Sequence, residues 1–231
     1  MTQNETRTRY GLLGGTFNPV HLGHLRAAEE VREALALDRV LFIPSRIPPH
    51  KNQDLNDPIA APEKRLRWVE TVISGYKEFS VDRVEIDREG PSYLVDTLTT
   101  IRNRAPSEAV PVFIVGEDAF AEMGDWRSPD ELFSLTDFAV MTRPPGQLND
   151  LRARFPNIDK SLFEFEEGGQ RVWHKSSGRC IDLVPITALD ISSSLIRQAC
   201  RENRSIRFLV PESIRESVES EGGYGPNQEV E

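Results

Sequence analysis

The sequence predicts one α/β domain built on a doubly wound, Rossmann-like sheet of mostly parallel strands with helices on both faces. Short apolar runs of strand length alternate along the chain with stretches whose apolar residues recur every three or four positions. Such alternation is typical of βαβ units and hence of parallel sheets. The most continuous apolar run, at residues 112–115, ends at a glycine, as expected for a buried strand.

The first half of the chain follows this alternation closely. The run RYGLLG at residues 9–14 predicts a strand, and the spacing of the apolar residues from Leu22 to Leu35 predicts the helix behind it. RVLFIP at 39–44 predicts a second strand stopped by Pro44. A helix is predicted after Pro62, a strand at 80–86 and a helix from about residue 92.

The second half predicts strands at 112–115, 137–143 and 180–185, with an irregular stretch or a hairpin at 147–179. Asp190 or Ser192 can cap a helix that follows, and a last helix is predicted after Pro211. We expect a single domain over residues 1–220 and a disordered tail over 221–231.

Composition excludes several classes of protein. The 231 residues carry a net charge of -9, which argues against a protein that coats nucleic acid. No segment approaches about 18 uninterrupted apolar residues, so no membrane association is expected. The amino-terminal residues lack a secretory apolar run, and the two cysteines match neither a disulfide framework nor a zinc site, so we expect a cytoplasmic protein.

An eleven-residue segment, GGTFNPVHLGH at residues 14–24, carries the clearest chemical pattern. Its glycines allow the backbone to approach a ligand, and the amino end of the next helix directs N–H groups and partial positive charge toward it. The segment is neither a Walker loop nor a G-x-G-x-x-G fingerprint. His21 and His24 are therefore the candidate donors to phosphoryl oxygens. A purely structural pair of histidines is the alternative.

Two separated segments resemble the signatures of one superfamily. GGTFNPVHLGH resembles the first signature of the HxGH nucleotidyltransferases, and DISSSLIR at residues 190–197 resembles their second. Within that superfamily the chain is similar to the bacterial nicotinate-nucleotide adenylyltransferases. The similarity is carried by IPSRIPPHK at 43–51, PSYLVDTL at 91–98 and VGEDAFAEMGDW at 115–126.

The resemblance implies an enzyme that transfers the adenylyl group of ATP to nicotinate mononucleotide, giving deamido-NAD and pyrophosphate in NAD biosynthesis. The phosphate of the mononucleotide attacks the α-phosphorus of ATP in line, so catalysis consists of positioning and charge stabilisation. Mg²⁺ is implied as a companion of ATP, with no protein residue assigned as a metal ligand. The implied partners are these small-molecule substrates, and a homo-oligomer is left open.

The resemblance also implies roles for individual residues. His21, His24 and Arg197 are the predicted catalytic residues. The predicted ATP-binding residues are Gly14, Gly15, Thr16, Phe17, His21, His24, Lys51, Gly116, Asp118, Ile191, Ser192, Ser193 and Arg197. The predicted nicotinate mononucleotide-binding residues are Ser45, Tyr93, Leu94 and Trp126.

The chain departs from the family pattern at two positions that bear on chemistry. Asn18 stands where many members have aspartate, and Leu94 stands where the family usually has threonine. If a threonine hydroxyl recognises the nicotinate carboxylate, Leu94 weakens the assignment; if a backbone N–H does so, nothing is lost. The alternatives are a pantetheine-phosphate adenylyltransferase and a nucleotide-binding sensor without turnover.

Overall fold

The computed structural model describes residues 8–49, 58–106, 108–142, 148–187, 189–222 and 224. Its strands are β1 (Arg9–Gly15), β2 (Arg39–Pro44), β3 (Phe79–Val81), β4 (Val110–Gly116), β5 (Asp137–Thr142), β6 (Phe163–Phe165), β7 (Arg171–His174) and β8 (Cys180–Pro185). Its helices are α1 (Leu22–Ala34), α2 (Pro62–Ile73), α3 (Leu94–Arg104), α4 (Glu117–Ala121), α5 (Pro129–Leu135), α6 (Ser193–Arg201) and α7 (Glu212–Glu221).

The strands form one sheet in the order β3-β2-β1-β4-β5-β8-β7-β6. The pairs β1–β4, β4–β5 and β5–β8 are parallel, whereas β7 pairs antiparallel with both β8 and β6. The central strands are buried, as helices on both faces of a parallel sheet require. The predicted α/β class is confirmed, and the irregular stretch contains the antiparallel hairpin β6–β7.

The predicted strand at residues 80–86 is wrong beyond Val81. There the Asp82 carboxylate accepts the N–H of Val84 at 2.9 Å, and the N–H of Asp87 reaches the carbonyl of Arg83 at 2.9 Å. A side chain that bonds its own backbone two residues on favours a turn over a strand. The apolar residues at 84 and 86 therefore belong to a turn.

Within residues 221–231, for which a disordered tail stays a prediction, Tyr224 is described in a buried position. This tyrosine is 1% exposed, and its ring centroid lies 6.5 Å from that of Trp68 in α2. Burial of an aromatic ring stabilises a segment that composition alone marks as polar and glycine-rich. The other described positions in this stretch are 221 and 222.

Contacts within the chain divide it into two units. The first comprises residues 1–14, 27–41 and 93–187, and its core includes the ring cluster of Phe113, Phe133, Phe138 and Phe163. The second comprises residues 15–26, 42–92 and 188–231. In the second unit α2 packs on α7, and the indole Nε1 of Trp68 donates to Ser217 Oγ at 2.9 Å.

None of the helices in the described ranges has the length and apolar character needed to cross a membrane.

Candidate active site

The first signature turns the chain from β1 into α1, and its residues 15–24 belong to the second unit. β1 ends at Gly15 and α1 begins at Leu22. Between them Phe17 adopts a φ of 49° and is 2% exposed, and its ring covers Gly15 so closely that a Cβ there would lie 3.0 Å away. A glycine therefore fits this position best, because a side chain would push the Phe17 ring by a few tenths of an ångström.

His24 closes the amino end of α1. Its Nδ1 accepts the backbone N–H of His21 at 3.2 Å, which is the contact that an acidic N3 side chain makes in a capping box. A neutral ring whose Nδ1 accepts carries its proton on Nε2. His24 therefore presents an Nε2–H donor at a helix amino terminus, where anions are favoured.

His21 lies against His24 but is much less accessible. The two rings are 3.7 Å apart between centroids, and His21 is only 6% exposed. Burial lowers the pKa of His21 from 6.5 to about 4, because the interior disfavours the charged imidazolium. Its buried Nδ1 has no hydrogen-bond partner among the described residues. His21 is thus a neutral imidazole at pH 7.

Gly23 is the residue that makes room for this pair. A Cβ at Gly23 would lie 3.0 Å from His21 Nδ1 and 3.6 Å from the carbonyl oxygen of Ile191. The first of these distances is tighter than nine in ten real Cβ contacts, so the His21 ring would have to shift. The glycine between the histidines therefore serves close packing of His21, and it also lies beside the second signature.

The second signature is joined to the first by side-chain bonds to the backbone. Ser192 caps α6 by accepting the N–H of Leu195 at 3.1 Å. Ser193 Oγ donates to the carbonyl of Pro19 at 2.9 Å, and the buried Arg197 donates to the carbonyl of Asn18 at 2.8 Å. Segments more than 170 positions apart along the chain are thereby held together.

The end of β2 also contacts the first signature. The N–H of Ser45 donates to the carbonyl of Gly15 at 2.9 Å, and the buried Ser45 hydroxyl has no partner among the described residues. Lys51, the other residue predicted in this loop, lies outside the described residues.

Three residues predicted to bind the mononucleotide lie in the first unit. Tyr93 is the N-cap residue of α3, and Leu94 begins that helix. Trp126 is half-buried and follows the 3-10 turn Glu122–Asp125. The guanidinium of Arg127 lies 4.8 Å from the centroid of the Tyr93 ring and so brings the Trp126 segment to the start of α3.

The remaining predicted residues also belong to the first unit. Gly14 packs against Phe113, with a Cβ at this position falling 3.3 Å from that ring. Gly116 ends β4 and is the N-cap residue of α4. Asp118 is exposed and forms an ion pair with Arg154.

Comparison with known proteins decides the family. The family description "Cytidylyltransferase-like" matches residues 12–199. A protein of Trichlorobacter lovleyi named "Probable nicotinate-nucleotide adenylyltransferase" is 42% identical over 94% of this chain and 100% of its own length. One of the same name from Geobacter metallireducens is 39% identical over 94% of this chain and 98% of its own.

The chain belongs to the nicotinate-nucleotide adenylyltransferase family. The fold agrees with this membership. A solved structure of the Plasmodium falciparum nicotinic acid mononucleotide adenylyltransferase complexed with NaAD aligns with a TM-score of 0.69 at 14% identity, covering 94% of this chain and 97% of that one.

As a member of this family, the chain has its second-unit signature residues assembled in one place. The structure brings together Gly15, Thr16, Phe17, His21, His24, Ile191, Ser192, Ser193 and Arg197. Their contacts with substrate stay predictions. The structure adds that Arg197 is 5% exposed and that its guanidinium donates hydrogen bonds to the carbonyl of Asn18 and to Ser194 Oγ.

Sequence reasoning missed Arg65, a buried residue of this family member that binds the backbone of the first signature and of neighbouring segments. It is 0% exposed and donates to the carbonyls of Thr16, Ala60 and Arg46 at 2.6, 2.8 and 3.1 Å. Burial lowers the pKa of Arg65 to about 10. The sequence does contain an indication that Arg65 is buried, because this arginine falls on the apolar face of α2 beside Leu66 and Val69.

Proposed function

We propose that this chain transfers the adenylyl group of ATP to nicotinate mononucleotide, giving deamido-NAD and pyrophosphate in NAD biosynthesis. The observation that carries the proposal is the stacked pair His21 and His24 at the amino end of α1, in a member of this family. A histidine donor at a helix amino terminus suits a polyphosphate, since both the N–H groups and the helix dipole favour negative charge.

The chemistry needs no protein nucleophile. A phosphate oxygen of the mononucleotide forms a bond to the α-phosphorus of ATP while the bond from that phosphorus to the α,β-bridging oxygen breaks. The electron pair leaves with pyrophosphate, so negative charge grows on the leaving group. The Nε2–H of His24 and the N–H groups at the start of α6 are the donors that stabilise that charge.

The two cysteines are unsuited to covalent catalysis. Both are buried, and burial raises the pKa of the Cys180 thiol to about 12. A thiol with so high a pKa supplies almost no thiolate at pH 7.

Mg²⁺ enters this proposal with ATP. In the part of the chain that the structure describes, no three His, Cys, Asp or Glu side chains are grouped so that they could hold a metal ion. The ATP phosphates are the ligands that a hard cation prefers, and Mg²⁺ commonly keeps several waters and binds through substrate phosphates. Bound there, the ion neutralises phosphate charge.

Substrate choice is proposed to depend on the start of α3. Tyr93 caps this helix without a side-chain hydrogen bond, and the first N–H groups of a helix have no intrahelical acceptor. A nicotinate carboxylate bound to such N–H groups needs no hydroxyl from residue 94, so Leu94 is compatible with the acid. Trp126 provides an aromatic plane for the pyridine ring.

The test is pyrophosphate release from ATP and Mg²⁺ with three acceptors supplied separately. We expect release with nicotinate mononucleotide, less with nicotinamide mononucleotide and none with phosphopantetheine. Release with phosphopantetheine alone would identify a pantetheine-phosphate adenylyltransferase. Binding of ATP and mononucleotide without release would identify a nucleotide-binding sensor.

A further inference from the structure

Asn18 is the junction at which four segments of the second unit meet. Its side-chain Nδ2 donates to the carbonyl of Pro58 at 3.1 Å, and its Oδ1 accepts the N–H of Ala60 at 2.9 Å. The same Oδ1 accepts the hydroxyl of Tyr224. Its backbone carbonyl accepts from Arg197. Asn18 is 2% exposed, and its bonds with Tyr224 and Arg197 are buried.

An amide suits this junction better than the aspartate that many family members carry. An amide offers one oxygen with two acceptor positions and a separate N–H donor. Both kinds of group are used, because Oδ1 accepts twice and Nδ2 donates once. A carboxylate would lose the donor to Pro58 and would bring negative charge beside a carbonyl oxygen.

Tyr224 reaches this junction because the chain folds back after α7. A Cβ at Gly222 would lie 2.5 Å from two atoms of the Tyr224 ring, so a side chain at 222 would displace the tyrosine. The phenol also lies beside Arg65, where it opposes the fall in the pKa of that arginine. Tyr224 is 1% exposed. A residue beyond the last helix is thus buried next to the first signature.

We propose that Tyr224 is a positioning residue for adenylyl transfer, which fixes Asn18 and through it the loop that presents His21 and His24 to the phosphates. This proposal rests on the proposed function. Asn18 stands three residues before His21, and its carbonyl is the point at which Arg197 holds the loop. Catalysis by preorganised donors requires that the donors stay in place, so a loosened loop lowers the rate of the chemical step.

The first test compares two tyrosine variants of the full chain. Tyr224→Phe keeps the ring and removes the hydroxyl. We expect kcat to fall about 5-fold, which corresponds to the loss of one hydrogen bond. The KM for ATP should stay close to that of the parent. The matched control is Tyr76→Phe, which removes the hydroxyl of a tyrosine that is 56% exposed and should leave kcat unchanged.

Glycine variants provide a second and independent test. Gly222→Ala should lower kcat at least as much as Tyr224→Phe, because its Cβ displaces the whole ring. Gly75→Ala is the matched control, since a Cβ at Gly75 meets nothing within 4 Å. Active-site concentration is determined for every variant, so that kcat refers to folded enzyme.

A double-mutant cycle with Asn18→Ala tests whether Tyr224 affects kcat through Asn18. If Tyr224 acts through Asn18, Tyr224→Phe has no further effect on kcat once Asn18 is alanine. The proposal is overturned by additive effects in the cycle, by an unchanged kcat in Tyr224→Phe, or by a lowered melting temperature with normal kcat per folded molecule. A parent enzyme that turns over no mononucleotide would instead contradict the proposed function.

Discussion

His21 and His24 share one helix end yet present different chemistry. His24 accepts a backbone N–H on one ring nitrogen and carries a donor on the other, whereas His21 is buried, with its ring centroid 3.7 Å from that of His24. Protonating both rings would place two positive charges about 4 Å apart, which is costly in a partly buried site. We therefore propose that the pair acts as hydrogen-bond donors, a role that needs no net charge.

Substitution of His24 separates its two contacts. His24→Ala removes both, and we expect kcat to fall about 100-fold, as for loss of a preorganised donor. His24→Asn keeps an acceptor near the Nδ1 position but has no group at Nε2, so kcat should fall as far while the melting temperature stays close to that of the parent. A near-normal kcat in either variant would show that the role of His24 is purely structural.

Burial of His21 predicts a pH dependence of stability. Its pKa is about 4 in the folded chain and 6.5 when unfolded, so the unfolded chain binds more protons between these values. Lowering the pH through this window therefore destabilises the fold, by about 2 kcal/mol between pH ~7 and pH ~5. Urea unfolding at the two pH values measures the loss.

The control for this prediction is His21→Gln, which cannot titrate. Carboxylates with shifted pKa values titrate equally in both proteins, so the difference between their pH slopes isolates the histidine. Equal slopes in the parent and in His21→Gln would show that His21 is not a buried neutral imidazole.

The residues that sequence reasoning missed form bonds to segments far away along the chain. The histidine pair was predictable because a spacing of three at a helix start has few uses in a chain with four histidines. Arg65 and Tyr224 bind partners 49 and 206 positions away along the chain. The carbonyls that accept from Arg65 are offered by every residue type, and the partner of Tyr224 lies far away along the chain, so no local motif records either contact.

Two helices of the chain, α1 and α6, begin at the signature segments. α1 begins at Leu22 within the first signature, and α6 begins at Ser193 within the second, so both helices have their amino ends among signature residues. Element boundaries were well predicted where prolines, glycines and caps mark them, as at β2 and β8. The exception was β3, where the side chain of Asp82 forms a turn that apolar periodicity does not reveal.

Removal of the Ser192 cap should weaken α6. In Ser192→Ala the N–H of Leu195 loses its side-chain acceptor, and we expect the free energy of unfolding to fall by about 1 kcal/mol. The comparison variant is Ser220→Ala, an exposed serine of α7 whose loss should cost less than about 0.5 kcal/mol. Equal effects of the two substitutions in urea unfolding would contradict the capping role.

The complete chain brings together signatures that lie at residues 14–24 and 190–197. The sequence predicted both segments and the sheet that carries them, but their joining bonds depend on tertiary structure. Ser193 and Arg197 donate to carbonyls of Pro19 and Asn18, and Tyr224 reaches Asn18 from beyond the last helix. The expectation of one domain over residues 1–220 stays a prediction. Contacts within the chain divide it into the two units described above.

The most direct test of direct adenylyl transfer follows the α-phosphate of ATP. ATP labelled at that phosphate is incubated with the enzyme, Mg²⁺ and nicotinate mononucleotide, and the products are separated. We expect one label in deamido-NAD for each pyrophosphate released, none bound to protein, and a rate about 100-fold lower in His24→Ala. Label retained in ATP, or trapped on the protein without mononucleotide, would contradict the account.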